Sequence, residues 1–228
     1  VNQSGTTPGD LYNRTNVRLN GTRKIGKTIN INYSTSYTQN RYDITTATGS
    51  MYDQMLNMPM NIDITRYKDW QNDKFANPNG FYNPWYQNPY WTAANYRQTN
   101  RNDYLTANVE VKFTPVKGLD FVFRQGISTR NQSNKNSNTG FTYTYYAKHT
   151  DASAKSDIPY SVSDGMSYST NLLSDFFTQY KRSIKDFSLN VLVGGQWNQN
   201  QSKNIGVSGN GLVVPGLFNV SNGVGTPG

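Results

Sequence analysis

The chain has no cysteine. Disulfides, a thiolate nucleophile and any cysteine-ligated metal site are therefore excluded. It has one histidine, His149, so a zinc site or a Ser–His pair would have to be built on that residue. Its setting, Lys148-His149-Thr150, is polar and reads as an exposed loop. Charged residues make up only 16% and hydrophobic residues only 35% of the 228 positions. An ordinary globular domain has about 25% and about 45–50%. A large α/β core and a coiled coil are both poorly served by such a chain. No apolar run approaches the roughly 20 residues of a transmembrane helix. Residues 1–10 carry no charged-then-apolar leader, and there is no initiating Met, so the chain reads as a mature piece or an internal fragment.

What fills the gap is polar and aromatic. There are 30 Asn, 17 Tyr, 10 Phe and 4 Trp. Aromatics at 14% argue against a disordered tail, which is poor in them. The net charge of +8 is scattered, with adjacent basic pairs only at Arg23-Lys24 and Lys181-Arg182. No basic face with aromatics at fixed positions is visible, so nucleic acid is not an expected partner.

Three stretches alternate with period two, the mark of strands with two unlike faces. Each is a pair of strands around a short turn, at about 12–38, 103–130 and 167–198. In the first pair, Ile29, Ile31, Tyr33, Thr35 and Tyr37 oppose Asn30, Asn32, Ser34, Ser36 and Thr38, with Gly26 in the turn. In the second, Leu105, Ala107, Val109, Val111 and Phe113 oppose Thr106, Asn108, Glu110, Lys112 and Thr114. Its turn is Pro115-Val116-Lys117-Gly118, and Arg124 falls on the polar side of the return strand. In the third, Phe187, Leu189, Val191, Val193 and Trp197 oppose Ser188, Asn190, Gln196 and Asn198. Its first strand is less clean, because Leu173 and Phe177 fall on the polar side.

Strands of about ten to fifteen residues exceed the common 5–6 of soluble sheets and suit a tilted bilayer crossing. The connections alternate short and long, with long links at about 39–102, 131–166 and 199–228. Both features predict an all-β, antiparallel transmembrane barrel segment of about six strands in three hairpins. One face would meet outer-membrane lipid and the other the lumen, with the long links outside the cell. Residues 50–58 suit a short helix ended by Pro59, its methionines packing the loop. A soluble surface β-sandwich that binds carbohydrate would also alternate and is the alternative. A barrel hydrolase would need His149.

At this point the residues match a family. The hairpin 104–127, with its turn Phe-Thr-Pro-Val-Lys-Gly-Leu-Asp, resembles those of the SusC/RagA-type TonB-dependent outer-membrane transporters. Similar too are Asn88-Pro89-Tyr90-Trp91, Asn100-Arg101-Asn102-Asp103, the strand from Tyr12 to Asn20, Met51-Tyr52-Asp53-Gln54-Met55-Leu56, and the segment 211–222. The resemblance spans almost the whole chain. It implies a bacterial outer-membrane importer of oligosaccharides or peptides. It also implies a SusD-like surface lipoprotein as partner, and the TonB complex acting through a plug. Neither a plug nor a closing last strand is found in this sequence, so the chain is expected to be a barrel segment. No enzyme activity, cofactor or metal is implied.

On the polar faces, Asn30, Asn32, Asn108, Glu110, Lys112, Arg124 and Asn190 would look into the lumen, where Glu110 and Asp175 could meet Arg124 or Lys112 across strands. In the first long link, Trp70, Phe81, Tyr82, Trp85, Tyr86, Tyr90 and Trp91 are interleaved with Asn and Pro. Rings that stack on sugars and amides that bind their hydroxyls belong in concave sites. The simpler reading is that these rings fold the loop on itself or sit at the membrane interface. Ligand contact, if present, is expected at Trp70, Trp85, Tyr86, Tyr90 or Trp91, most of all at Trp85, Tyr86 or Trp91. Tyr143, Tyr145 and Tyr146 form a weaker second group.

Overall fold

The computed structural model describes residues 1–149 and 155–225. Residues 150–154 of the second long link, Thr150 beside His149 among them, and the last three of the glycine-rich tail lie outside the described residues. The described chain forms one seven-stranded antiparallel sheet in simple sequential order, β1 to β7. The strands are β1 (Asn2–Ser4), β2 (Leu11–Ile25), β3 (Ile29–Thr45), β4 (Tyr96–Val116), β5 (Leu119–Asn138), β6 (Ser161–Ile184) and β7 (Phe187–Asn210). Among the described residues no second sheet packs on it, as a sandwich would require. Among them, too, no helix is long and apolar enough to cross a membrane, which says nothing of strands.

The six strands expected from the alternation are β2 to β7. The seventh, β1, has three residues, too few for any period to show. The strands also run further than the alternation reaches: β6 and β7 have 24 residues each. Past Thr129 both faces of β5 turn polar, so that strand continues with no hydrophobic period to report it, while on β6 and β7 the apolar face goes on only sparsely, through Tyr168, Met166, Ile205 and Val207. The links shorten accordingly, to 46–95 and 139–160, and the third begins only at 211.

The turns have local causes. Gly26 and Gly118 take positive φ, 60° and 91°. At Gly118 a Cβ would also collide with the carbonyl of Lys181, whose N–H donates to the Gly118 carbonyl at 2.7 Å. Lys185 opens the β6–β7 turn at φ 50° without being glycine. A left-handed conformation costs an L-residue about 1–2 kcal/mol.

The register aligns the apolar positions of all six long strands into one field. Leu19, Thr35, Ala107, Ile127 and Leu172 are successive partners, as are Ile31, Val111, Phe123 and Phe176. None of these side chains is buried, and Leu19, Val109, Phe123, Phe176 and Val193 are exposed, so this is an apolar surface and not a core. On β4 the field runs from Leu105 to Phe113, about 27 Å of strand, or near 20 Å of height at a tilt of about 40°. The polar positions line up on the opposite face by the same register. The enclosed packing lies in the links: α1 (Thr48–Leu56), α2 (Pro89–Asn95) and α3 (Tyr145–His149) lie at one end of the sheet. The α1 helix falls where the methionine-rich stretch predicts one, and it buries Met51 and Gln54 while leaving Met55 exposed.

Candidate functional site

The polar face carries one continuous row across six strands. Thr22 donates to Asn32 (2.9 Å), Asn32 to Glu110 (3.2 Å) and Arg124 to Glu110 (2.6 Å). Asp175 lies next in register and accepts from Gln196 (2.8 Å). A cavity of about 460 Å³ opens over Asn32, Asn108, Glu110, Arg124 and Asp175. One row away Lys112 pairs with Asp120 (2.9 Å), which also accepts from Thr114 (2.6 Å). Asn30 stands opposite Lys112, and Asn190 accepts from Gln179 (3.0 Å). All seven polar-face residues expected from the sequence thus share one face. Of the cross-strand pairs, Glu110–Arg124 forms, whereas Asp175 turns to an amide, and Lys112 finds Asp120 rather than Glu110.

Two features of this face escape the alternation. Val122 and Phe177 are apolar partners in register, and Arg124 lies over the Phe177 ring at 5.1 Å. The guanidinium covers the apolar intrusion, which explains why β6 looks irregular as sequence. Toward the links the face becomes an amide surface. Asn100 and Asn102 are each 6% exposed, and their Oδ1 atoms, with those of Asn30 and Asn136, have no hydrogen-bond partner among the described residues. Buried acceptors of this kind are rare in native proteins. No long-range sequence pattern distinguishes them from the other asparagines.

The first and second links pack into one region with two groups of ring contacts, Tyr67–Phe81–Tyr82 and Trp91–Tyr96–Phe141–Tyr143. Asn88 is fully buried and organises it. Its Nδ2 donates to the carbonyls of Tyr67 (2.6 Å) and Ala76 (2.7 Å), and its Oδ1 caps α2 by accepting from the Tyr90 N–H (2.9 Å). Pro89 follows at the first helical position, where a missing N–H costs nothing. Trp91 is 2% exposed and meets Tyr96 and Phe141 edge-on, at centroid distances of 5.7 and 6.1 Å. Phe81 contacts Tyr67 and Tyr82 in the same way. The links are tied by Thr144 N–H to Asn79 (2.9 Å) and Lys155 to the Pro78 carbonyl (3.2 Å).

The five expected aromatic contacts therefore separate. Trp91 lies inside this region with no free ring face, and the burial of its own helix neighbours accounts for that. Trp70, Tyr86 and Tyr90 are half-buried, and Tyr90 lines a cleft of about 170 Å³ with Met51, Tyr52 and Met55. Trp85 stands 71% exposed, its backbone N–H donating to Asn83 Oδ1 at 2.8 Å. In the second group Tyr143 is buried, and burial pushes its phenol above the ordinary tyrosine value. Tyr145 and Tyr146 are exposed, and His149, also exposed, stacks on Tyr145 at 4.1 Å.

Asp157 locks the second link. It accepts from Lys148 (2.6 Å) and from the Tyr143 N–H (2.7 Å). The Lys148 hydrogen bond, then the backbone one, holds its carboxyl below the ordinary 3.8. A carboxyl depressed in the folded state stabilises above its unfolded value and loses that contribution as pH falls through the folded value. Protection of the Tyr143 amide should therefore be full above about pH 4 and decline below it. Asp157→Asn should raise exchange of that amide severalfold at neutral pH. Unchanged exchange would count against the lock.

The third link has its own small core of Val162, Leu212 and Val220, flanked by Tyr160, Val207 and Phe218. Asn222 organises it, donating to the carbonyls of Val214 and Leu217 at 2.8 Å each.

No family model matches the chain, and no curated protein matches it. Its fold is similar to part of solved structures of the RagAB peptide importer. The "open-open" state aligns with a TM-score of 0.67 at 17% identity, and the "closed-closed" state with 0.65 at 16%. Each alignment covers 96% of this chain and 24% of that chain. The chain spans about a quarter of the length of those neighbours, and at this identity the likeness is one of fold. A sequential antiparallel sheet of long two-faced strands is the class of structure this chain defines.

Proposed function

We propose that this chain forms part of the wall and three exterior loops of an outer-membrane nutrient importer of the SusC/RagA type. The observation that carries the reading is the field of exposed apolar side chains on one face, backed by a hydrogen-bonded polar face on the other. An apolar band about 25 Å tall with a polar interior is what a transmembrane barrel presents. In this reading Asn30, Asn32, Asn108, Glu110, Lys112, Arg124 and Asn190 line the lumen. Further strands complete the sheet, because an unpaired strand edge in hydrocarbon costs several kcal/mol per orphaned group. Cargo is taken up with a surface lipoprotein and released inward by the TonB complex. It is an oligosaccharide or a peptide, either of which an amide surface of low net charge suits.

Cargo contact falls on Trp85 and Tyr86, with Tyr90 and Trp70 at the sides and Trp91 holding the loop from within. Trp85→Ala should leave the amount of assembled protein unchanged and weaken cargo binding about tenfold. The test measures binding and uptake of oligosaccharide and peptide mixtures by cells bearing the variant. Unaltered uptake of every cargo removes Trp85 from the site. Recovery of the full protein as a soluble monomer without detergent would sink the membrane reading itself.

A further inference from the structure

Above the apolar field, on the same face, the sheet carries a second depression. Its volume is about 990 Å³ and it crosses all seven strands. Strand alternation puts Arg41, Arg101, Lys135 and Met166, which line it, on the side of Tyr37, Leu105, Gln125 and Leu172. Arg41 and Arg101 are directly opposite each other in register, only two same-face positions beyond Tyr37 and Leu105. Like charges directly opposite destabilise a sheet. Arg101 is paired with Asp103 (2.8 Å) and Lys135 with Asp164 (3.1 Å), and the remaining lining carboxylate, Asp43, is taken by Arg97 (2.6 Å). Among the described residues Arg41 has no carboxylate partner, and it is exposed.

We infer that this depression binds the phosphorylated headgroup of a membrane lipid, with Arg41 and Arg101 as the phosphate fork. The inference rests on the membrane reading above, since the apolar field beneath Arg41 would then hold the lipid's acyl chains. A phosphate between the two guanidiniums cancels their repulsion and accepts paired N–H donors, a geometry to which arginine is suited. Continuity with the apolar field favours a lipid-borne phosphate over a free one. Lys135, paired with Asp164 and donating to the Phe218 carbonyl (3.0 Å), and the apolar Met166 extend the site toward the headgroup's sugar or glycerol.

The test uses the full membrane protein in a zwitterionic detergent. It is titrated with a bis-phosphorylated glycolipid, with the same lipid after dephosphorylation, and with inorganic phosphate. The wild type should bind the phosphorylated lipid at least about tenfold more tightly than the dephosphorylated one, and R41Q/R101Q should erase that difference. Arg18→Gln, on the opposite face, should leave it intact. Equal binding by R41Q/R101Q overturns the inference, and so does inorganic phosphate that competes as well as the lipid. A fluorophore on Val109→Cys keeps the two readings apart. Quenching by brominated lipid tails upholds the membrane reading whatever the titration gives, and its absence overturns both.

Discussion

Val111→Arg is expected to abolish membrane assembly, while Asn108→Arg, three residues away, assembles. Val111 has Ile31 and Phe123 as its register partners, so an arginine there has no polar partner directly opposite. Charge on the lipid side of a barrel costs about 2–4 kcal/mol near the bilayer midplane. Asn108 lies between Ser34 and Gly126, where a long side chain has room and polar company. The register also ranks other positions. Leu189, equally apolar as sequence, stands opposite Arg182, so it should tolerate a carboxylate better than Val111 but gains nothing as a site for arginine. Asn190 stands opposite Lys181, so it is a poorer control than Asn108. Heat-modifiable mobility of the folded barrel in membrane fractions reads the result. Equal assembly of Val111→Arg and Asn108→Arg would refute the assignment of faces.

Trp91→Ala is expected to unfold the first two links while leaving the sheet intact. Truncating a buried tryptophan costs about 3–5 kcal/mol, and here the ring joins α2, the start of β4 and the second link through Tyr96 and Phe141. Loops of this size have little stability to spare. Amide exchange should rise across 67–95 and 141–149 and stay slow in β4 and β5, where ladders on both sides hold each strand. Cargo binding should fall together with that protection. Trp91→Phe should restore part of both. Protection retained in Trp91→Ala would mean that the links are held elsewhere.

The contrast between Trp85 and Trp91 shows where legibility ends. Both sit in the same Asn- and Pro-rich stretch, and composition treats them alike. Only the helix that Asn88 caps turns Trp91 inward and leaves Trp85 outside, and that capping depends on carbonyls contributed by Tyr67 and Ala76. The hairpins, by contrast, are readable because alternation is a local property of each strand. Gly26 and Gly118 mark their turns for reasons visible within four residues. Strand ends are not readable, since Asn131, Ser133 and their neighbours continue the ladder with polar side chains on both faces. The pairing of Lys112 with Asp120 escapes the sequence because register across the bulge between Phe113 and Val116 is not a sequence quantity.

The sequential strand order has a kinetic consequence. Every ladder in the sheet joins strands consecutive in the chain, so each hairpin can form without waiting for the others. The β2–β3, β4–β5 and β6–β7 hairpins close over turns of two or three residues, on a timescale of about 1–10 μs for such elements. Joining one hairpin to the next requires closure of 46–95 or 139–160, and each doubling of a loop adds about 0.6 kcal/mol of entropy. Folding should thus proceed as three fast zippers followed by slower docking steps. The aromatic packing of the first two links, by shortening the effective span between β3 and β4 and between β5 and β6, sets the pace of those steps.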